Sequence, residues 1–293
     1  MLVSQIKAAK RSTSVPWRLS NREAFMERTD LIARYRRFLK RRNYSVHTVK
    51  NYINILGHFS AWLQIPIERA SAKETDAYMD YLLRRRKKPK TINCHFGCIH
   101  TFYDYLIEDE GMPLSNPVKK KYRLRLPRPL PKHLRDAQVE ALFNEISDTR
   151  DRAMFMLMLR CGLRVEEVAR LTANAIEYRS RQLYVFNGKG SKDRVVYLSE
   201  DAKSALENYM QNRKWSKEKR LFLVQKGPLR GKPLSVRGIQ KRIEYYTHKA
   251  GIEAACHHLR NTMATQLLNA DADLVTIQDL LGHSRITTTQ CYC

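Results

Sequence analysis

Apolar residues recur with helical spacing through the first third of the chain. Leu31-Ile32, Tyr35 and Phe38-Leu39 fall three and four apart and predict an amphipathic helix. Ser45 reads as the N-cap of a second helix, with Val49, Tyr52-Ile53, Leu56, Phe59 and Leu63 on its apolar face. Tyr78 and Tyr81-Leu82 predict a third helix, and Ile92, Phe96, Ile99, Phe102-Tyr103 and Leu106 a fourth. Aromatics at this spacing are more often core than ligand platforms, and they are read as core. Cys94 and Cys98, four apart on the fourth helix, are read as core with them. The pattern breaks between Lys119 and Arg135, where eight Lys/Arg stand with no Asp or Glu, and Pro127, Pro129 and Pro131 alternate. Proline fixes φ and removes a donor, so this stretch suits neither a helix interior nor a central strand. It reads as a stiff, extended linker whose uniform charge suits a phosphate backbone. Beyond it, Asp136 reads as the cap of a helix through Val139, Leu142-Phe143 and Ile146. Another helix is expected from Arg150 to Arg160, interrupted by Gly162, with a new one near Val165. There the period changes to two. Gln182 to Phe186 and Arg194 to Leu198, around a Gly-rich turn from Asn187 to Lys192, predict a β-hairpin. Helical spacing returns over Asp201 to Met210, Val236 to Ala250, His257 to Asn269 and Leu274 to Leu281, with a short helix from Ser284.

Composition sharpens this outline. A chain of 293 residues suits two domains, and 43% hydrophobic residues are enough for real cores. With 54 Lys+Arg against 29 Asp+Glu, the formal charge is +25. Such a field draws in polyanions, and nucleic acid is the leading partner because phosphate neutralisation releases counterions. An anionic membrane is the weaker alternative, since no apolar run reaches 18 residues. The N-terminus carries no apolar signal-peptide core, and the six cysteines form no compact secreted framework, so the expected compartment is the cytoplasm. Cys256, His257, His258, Cys291 and Cys293 match no zinc-ligand spacing, and no metal or other cofactor is expected.

Four short clusters could carry chemistry together. Arg164 follows the helix-breaking Gly162 at a helix start, where backbone N–H groups favour an anion. His257 and Arg260 are three apart and share a helix face. A guanidinium binds two phosphate oxygens at once, so two arginines suit a phosphoryl centre with charge spread over its oxygens. Lys189 sits at the hairpin tip, where an amine can give a proton to a leaving oxygen. Gly282 can end a helix in the left-handed conformation and Ser284 can cap the next, which fixes His283 and directs a short helix toward Tyr292. A tyrosine hydroxyl can attack phosphorus and form a covalent ester. Each cluster alone is common; their order and spacing together carry the signal.

Those motifs resemble the tyrosine recombinase, or phage-integrase, family. Arg164 stands where that family has its first active-site arginine and Lys189 where it has the hairpin lysine. His257-His258-Leu259-Arg260 resembles its His-x-x-Arg motif, Leu281 to Ser284 its Leu-Gly-His-Ser corner, and Thr287 to Tyr292 the segment bearing the nucleophile. Glu167 matches the acidic residue that supports the first arginine. Ser45 to Thr48, Tyr52 and Phe59 resemble the helical core-binding domain, and the general likeness is to Xer-type and simple two-domain integrases. The resemblance implies a mainly α fold with a small antiparallel β-sheet. A basic N-terminal extension over 1–20 leads to a SAM-like core-binding domain over 21–118. A linker over 119–135 then joins it to an α+β catalytic domain over 136–293. No arm-binding domain is expected before residue 20.

The resemblance also implies a C-shaped clamp on duplex DNA and a tetramer on two duplexes. Tyr292 would attack a phosphodiester to leave a 3′-phosphotyrosyl bond, with Arg164, Arg260 and His283 stabilising the transition state. Lys189 would protonate the leaving 5′-oxygen, and His257 would assist proton transfer at the tyrosine or orient the phosphate. Departures from the family pattern are Asn261 in place of His, His258 in place of Asp and Tyr197 in place of Pro. One residue, Cys293, follows Tyr292, where the family generally continues with a segment docking on a neighbour. The expectation is complete cleavage chemistry with a tyrosine poorly positioned when the chain is alone. Two rival readings are a type IB topoisomerase, disfavoured by the helical first domain and the His-x-x-Arg form, and a DNA binder without cleavage, disfavoured by the full set of six residues.

Overall fold

The computed structural model describes residues 21–119, 122–127, 130–186, 193–213, 217–282 and 289, with side chains from residue 30 onward. The chain divides into two compact units, residues 1–128 and 129–293.

Among its described residues the first unit has four α-helices, α1 (Asn21–Arg41), α2 (Val46–Trp62), α3 (Ala72–Arg84) and α4 (Pro89–Glu108). The starts of α2, α3 and α4 are fixed locally. Ser45 Oγ accepts from the Thr48 N–H at 3.1 Å, as its N-cap reading requires. At α3, Ser71 Oγ accepts from Lys73 N–H and Glu74 reaches back to the Ser71 N–H at 2.8 Å. Proline at the first turn of α4 gives up no helical donor. The apolar stripes then meet: Tyr35, Leu56, Phe59, Tyr78, Ile92, Phe96 and Phe102 are all buried. Edge-to-face pairs such as Tyr35–Phe102, with centroids 5.1 Å apart, organise this core. Cys98 joins it, but Cys94 is exposed, because it stands off the stripe defined by Ile92, Phe96 and Ile99.

The proline-rich stretch is held at both ends. Val118 and Tyr122 are buried in the first unit, and Asn93 exchanges two hydrogen bonds with the Leu124 backbone at 2.9 and 2.8 Å. Leu134 is buried in the second unit, its N–H donating to Thr262 Oγ1 at 2.8 Å, while Asn261 donates to the Lys132 carbonyl at 3.0 Å. Asn261, a departure from the family pattern, thus anchors backbone.

The second unit is built around α6 (Thr149–Arg160), capped by Asp148 and buried continuously from Ala153 to Leu159. A helix apolar on all sides belongs at a centre. It packs on α8 (Glu200–Asn212) and α10 (Cys256–Asn269). The other helices are α5 (Asp136–Glu145), α7 (Val165–Arg170), α9 (Val236–Lys249) and α11 (Leu274–Leu281). Asp136 is the first helical residue of α5 rather than its cap. Gln138 accepts the Arg135 N–H at 3.0 Å instead, and Asp136 accepts from Gln266. The hairpin strands β2 (Gln182–Val185) and β3 (Arg194–Tyr197) pair antiparallel with Leu183 opposite Val196. A two-residue strand, β1 (Ile176–Glu177), completes a sheet of order β1-β2-β3. No helix among the described residues is long and apolar enough to cross a membrane.

Candidate active site

The site is organised by a glycine and the end of a helix. Between α6 and α7, Gly162 adopts φ +62°, and a Cβ there would lie 2.6 Å from Met263 Sδ and 2.9 Å from Leu281 Cδ2. Only glycine fits both the left-handed backbone and the contact. The turn therefore presses against α10 and α11 and delivers Arg164 to the N-cap of α7. At the far side, Gly282 ends α11 with φ 59° and ψ 49°, the left-handed cap that its sequence predicts.

Three arginines converge on that helix end. Arg194, at the start of β3, donates from Nε to the Leu280 carbonyl at 3.0 Å. Arg260, buried on α10, donates to the Leu281 carbonyl and, from its other terminal nitrogen, to the Gly162 carbonyl. Arg164 donates from Nη2 to the Gly282 carbonyl at 2.9 Å. The last carbonyls of a helix lack intrahelical partners and carry the negative end of its dipole, so three guanidinium groups there satisfy both needs.

Glu167 joins two of the three. Its Oε1 accepts from Arg164 Nη1 at 2.8 Å and Arg194 Nη1 at 2.9 Å, and its Oε2 from the Arg164 N–H and Arg194 Nη2, both at 2.8 Å. Burial alone would raise its pKa. The hydrogen bonds and charge of Arg194, then those of Arg164, outweigh burial and hold it at about 2. The group of three arginines and one carboxylate keeps an excess of positive charge, which suits a phosphoryl group.

His257 stands exposed in the first turn of α10, its ring edge-to-face with that of His258 at 4.0 Å between centroids. Desolvation lowers the pKa of His257; desolvation, then the charges of His257 and Lys132, lower that of His258. His258 Nδ1 accepts the Ala255 N–H at 3.2 Å, which fixes its tautomer and closes the start of α10. Among the described residues, no three His, Cys, Asp or Glu come together as a metal site.

Of the residues picked from sequence, Arg164, Glu167 and Arg260 meet at this corner, and His257 lies on the helix of Arg260. Lys189, His283 and Tyr292 lie outside the described residues. Arg194 is the member that sequence reasoning missed. Its signal is the strand period: Arg194 shares the inner face with buried Val196, and a charge pointing inward needs a partner.

Comparison with known proteins places these features in a group. Residues 132–293 match the phage integrase family, and residues 31–111 match its N-terminal SAM-like domain. The tyrosine recombinase XerD of Pseudomonas aeruginosa is 36% identical over 263 residues, 84% of this chain and 86% of that one. The tyrosine recombinase XerC of Bacillus subtilis is 31% identical over 86% of each. In fold, the chain is similar to the Tn1549 transposon integrase in complex with transposon right end DNA (TM-score 0.74, 21% identity, 90% of this chain and 94% of that one). It is equally similar to a lambda integrase dimer bound to a core site (TM-score 0.74, 18% identity, 90% and 94%). A helical N-terminal unit, a catalytic unit with a three-stranded sheet, and both family models along one chain make this protein a member of the phage integrase family of tyrosine recombinases, enzymes that cut and rejoin DNA.

Proposed function

We propose that the chain is a site-specific recombinase of the integrating or excising kind, acting on duplex DNA through a 3′-phosphotyrosyl intermediate. The observation that carries the reading is the convergence of Arg164 and Arg260 on the end of α11, directly before the segment bearing His283 and Tyr292. Tyr292 supplies the nucleophilic oxygen. Its bond to phosphorus forms as the bond to the 5′-oxygen breaks, leaving a 3′-phosphotyrosine and a free 5′-hydroxyl. Arg164, Arg260 and His283 stabilise the charge that spreads over the phosphoryl oxygens. Lys189 protonates the leaving 5′-oxygen. Desolvation favours the neutral form of His257, so it can accept the tyrosine proton. The incoming 5′-hydroxyl of a second strand reverses the step. The ester conserves the bond energy, so the scheme uses no nucleotide hydrolysis and no cofactor.

The proposed organisation is a core-binding domain over 21–118, a basic linker over 119–135 that follows the phosphate backbone, and a catalytic domain over 136–293. The proposed assembly is a tetramer on two duplexes in the cytoplasm, serving a mobile element. The transposon and phage integrases of similar fold support the last point. A nicked suicide duplex carrying the chain's own site tests the chemistry. Wild type is expected to form an SDS-resistant adduct, and Tyr292→Phe to bind without forming one. An adduct from Tyr292→Phe, or none from wild type, overturns the assignment. Relaxation of supercoiled plasmid lacking the site would instead support a topoisomerase.

A further inference from the structure

The bond pattern around Glu167 contains a competition. A carboxylate offers about four lone-pair positions. Glu167 uses four: two for Arg194, one for the Arg164 side chain and one for the Arg164 backbone N–H. Arg164 in turn splits its terminal nitrogens, one to Glu167 and one to the Gly282 carbonyl. A guanidinium beside a carboxylate favours the two-bond fork over a single bond. Arg194 already holds both oxygens in such a fork.

We infer that Arg194 is a positioning residue for strand cleavage: by occupying both oxygens of Glu167, it keeps Arg164 from folding onto the carboxylate and holds it at the α11 corner. The inference rests on the proposed role of Arg164 at the phosphate. Three observations carry it. The Arg194 side chain is 9% exposed and that of Glu167 7%, so their pairing is sheltered from water and salt, whereas the Arg164 side chain is 20% exposed, at the edge of the group. Arg194 also grips Leu280, one residue before the carbonyl that Arg260 takes and two before the one that Arg164 takes. Finally, a Cβ on Gly282 would sit 3.2 Å from both Cδ and Nη1 of Arg194, so the corner closes directly over this side chain. Arg194 also begins the strand that returns from the hairpin containing Lys189, so one side chain ties that hairpin's base to the two other segments.

The test compares wild type, Arg194→Met, Glu167→Gln, the double variant and Arg213→Met. Arg213 is a control with a similar structural job, since it donates to the carbonyls of Glu218, Arg220 and Leu221 elsewhere in the unit. The readouts are single-turnover adduct formation on the suicide duplex, DNA affinity, and thermal unfolding, with rates taken where every variant is folded. Arg194→Met should slow adduct formation by roughly 10- to 100-fold, the scale of a displaced positioning group, with DNA affinity little changed. Arg213→Met should lower the unfolding temperature and leave the rate near wild type. The double variant should be faster than Arg194→Met, because a neutral amide no longer draws Arg164 away. A double variant as slow as the single, or a rate loss no larger than that of Arg213→Met, overturns the inference. So does a loss of DNA affinity matching the loss of rate, since Arg194 would then be touching phosphate. Rotation of the Arg164 guanidinium, read by nitrogen NMR, gives a second measure that needs no cleavage. Arg194→Met should change it, and an unchanged signal overturns the inference even if wild type forms no adduct. Failure of the wild-type adduct with a changed signal overturns the recombinase chemistry alone.

Discussion

In the N-terminal unit the largest buried side chains are aromatic, among them Tyr35, Phe59, Tyr78, Phe102 and Tyr103, and its buried polar side chains among the described residues are neutral, Ser60 and Thr75. In the C-terminal unit Arg150, Asp151 and Arg260 are buried, and the Glu167 side chain is 7% exposed. Asp151 shows how such charge is tolerated. It accepts from Arg150 Nε and Nη2 at 2.9 and 2.6 Å, from Arg242 Nε at 2.5 Å and from Tyr246 at 3.1 Å. Removing one partner from such a group leaves a buried charge uncompensated. The first unit therefore depends mainly on volume and shape, the second also on charged donors and acceptors matched atom by atom. Cations stay inside a fold only when paired, and the second unit holds several, around Asp151 and around Glu167.

The largest test of this contrast is Asp151→Asn. It conserves shape but turns an acceptor oxygen into a donor facing Arg242 or Tyr246, and should destabilise the second unit by about 3–5 kcal/mol in urea unfolding. A cost near zero would mean that this network is ornamental. Next comes pH. The Glu167 pKa is depressed from 4.5 to about 2, so its ion pairs contribute stability that is present above pH 4.5 and lost as pH falls toward 2. That contribution is about 3 kcal/mol, and Glu167→Gln should remove its pH dependence from acid unfolding curves. In the aromatic unit an equally conservative change should matter less. Leu56 is fully buried, yet Leu56→Met nearly preserves volume and should cost less than about 1.5 kcal/mol in the same assay. The smallest effect is local: Ser45→Ala removes the cap of α2 and should cost about 1 kcal/mol, read as a small fall in unfolding midpoint.

Legibility in the sequence divides along the same line. The helices of the first unit follow from apolar spacing, because one face of each meets one core. Ser45 and Gly282 were readable because caps depend on neighbours in sequence. Motif spacing marks Arg164 and Arg260, and the family resemblance marks Glu167, but neither gives their meeting place, since the carbonyls of Gly162, Leu281 and Gly282 have no side-chain signature. Arg194 was passed over because an arginine beside a turn normally reads as solvated, and only the strand period places it inside. The strand β1 is two residues long, too short for any period to register. Cys94 lies outside the core it was expected in, because four-residue spacing with Cys98 puts both near one side of α4 but does not say where the buried stripe ends.

The three arginines grip the end of α11 through backbone oxygens. The Leu280 side chain takes no part in the bond its carbonyl makes, so exchanging it for another helix former leaves the three arginines their acceptors. Adding or deleting one residue in α11 is a different event. It would turn the helix end by about 100° and move it by about 1.5 Å, carrying all three carbonyls away from their donors at once. The corner is thus tolerant of spelling at Leu280 but strict about length.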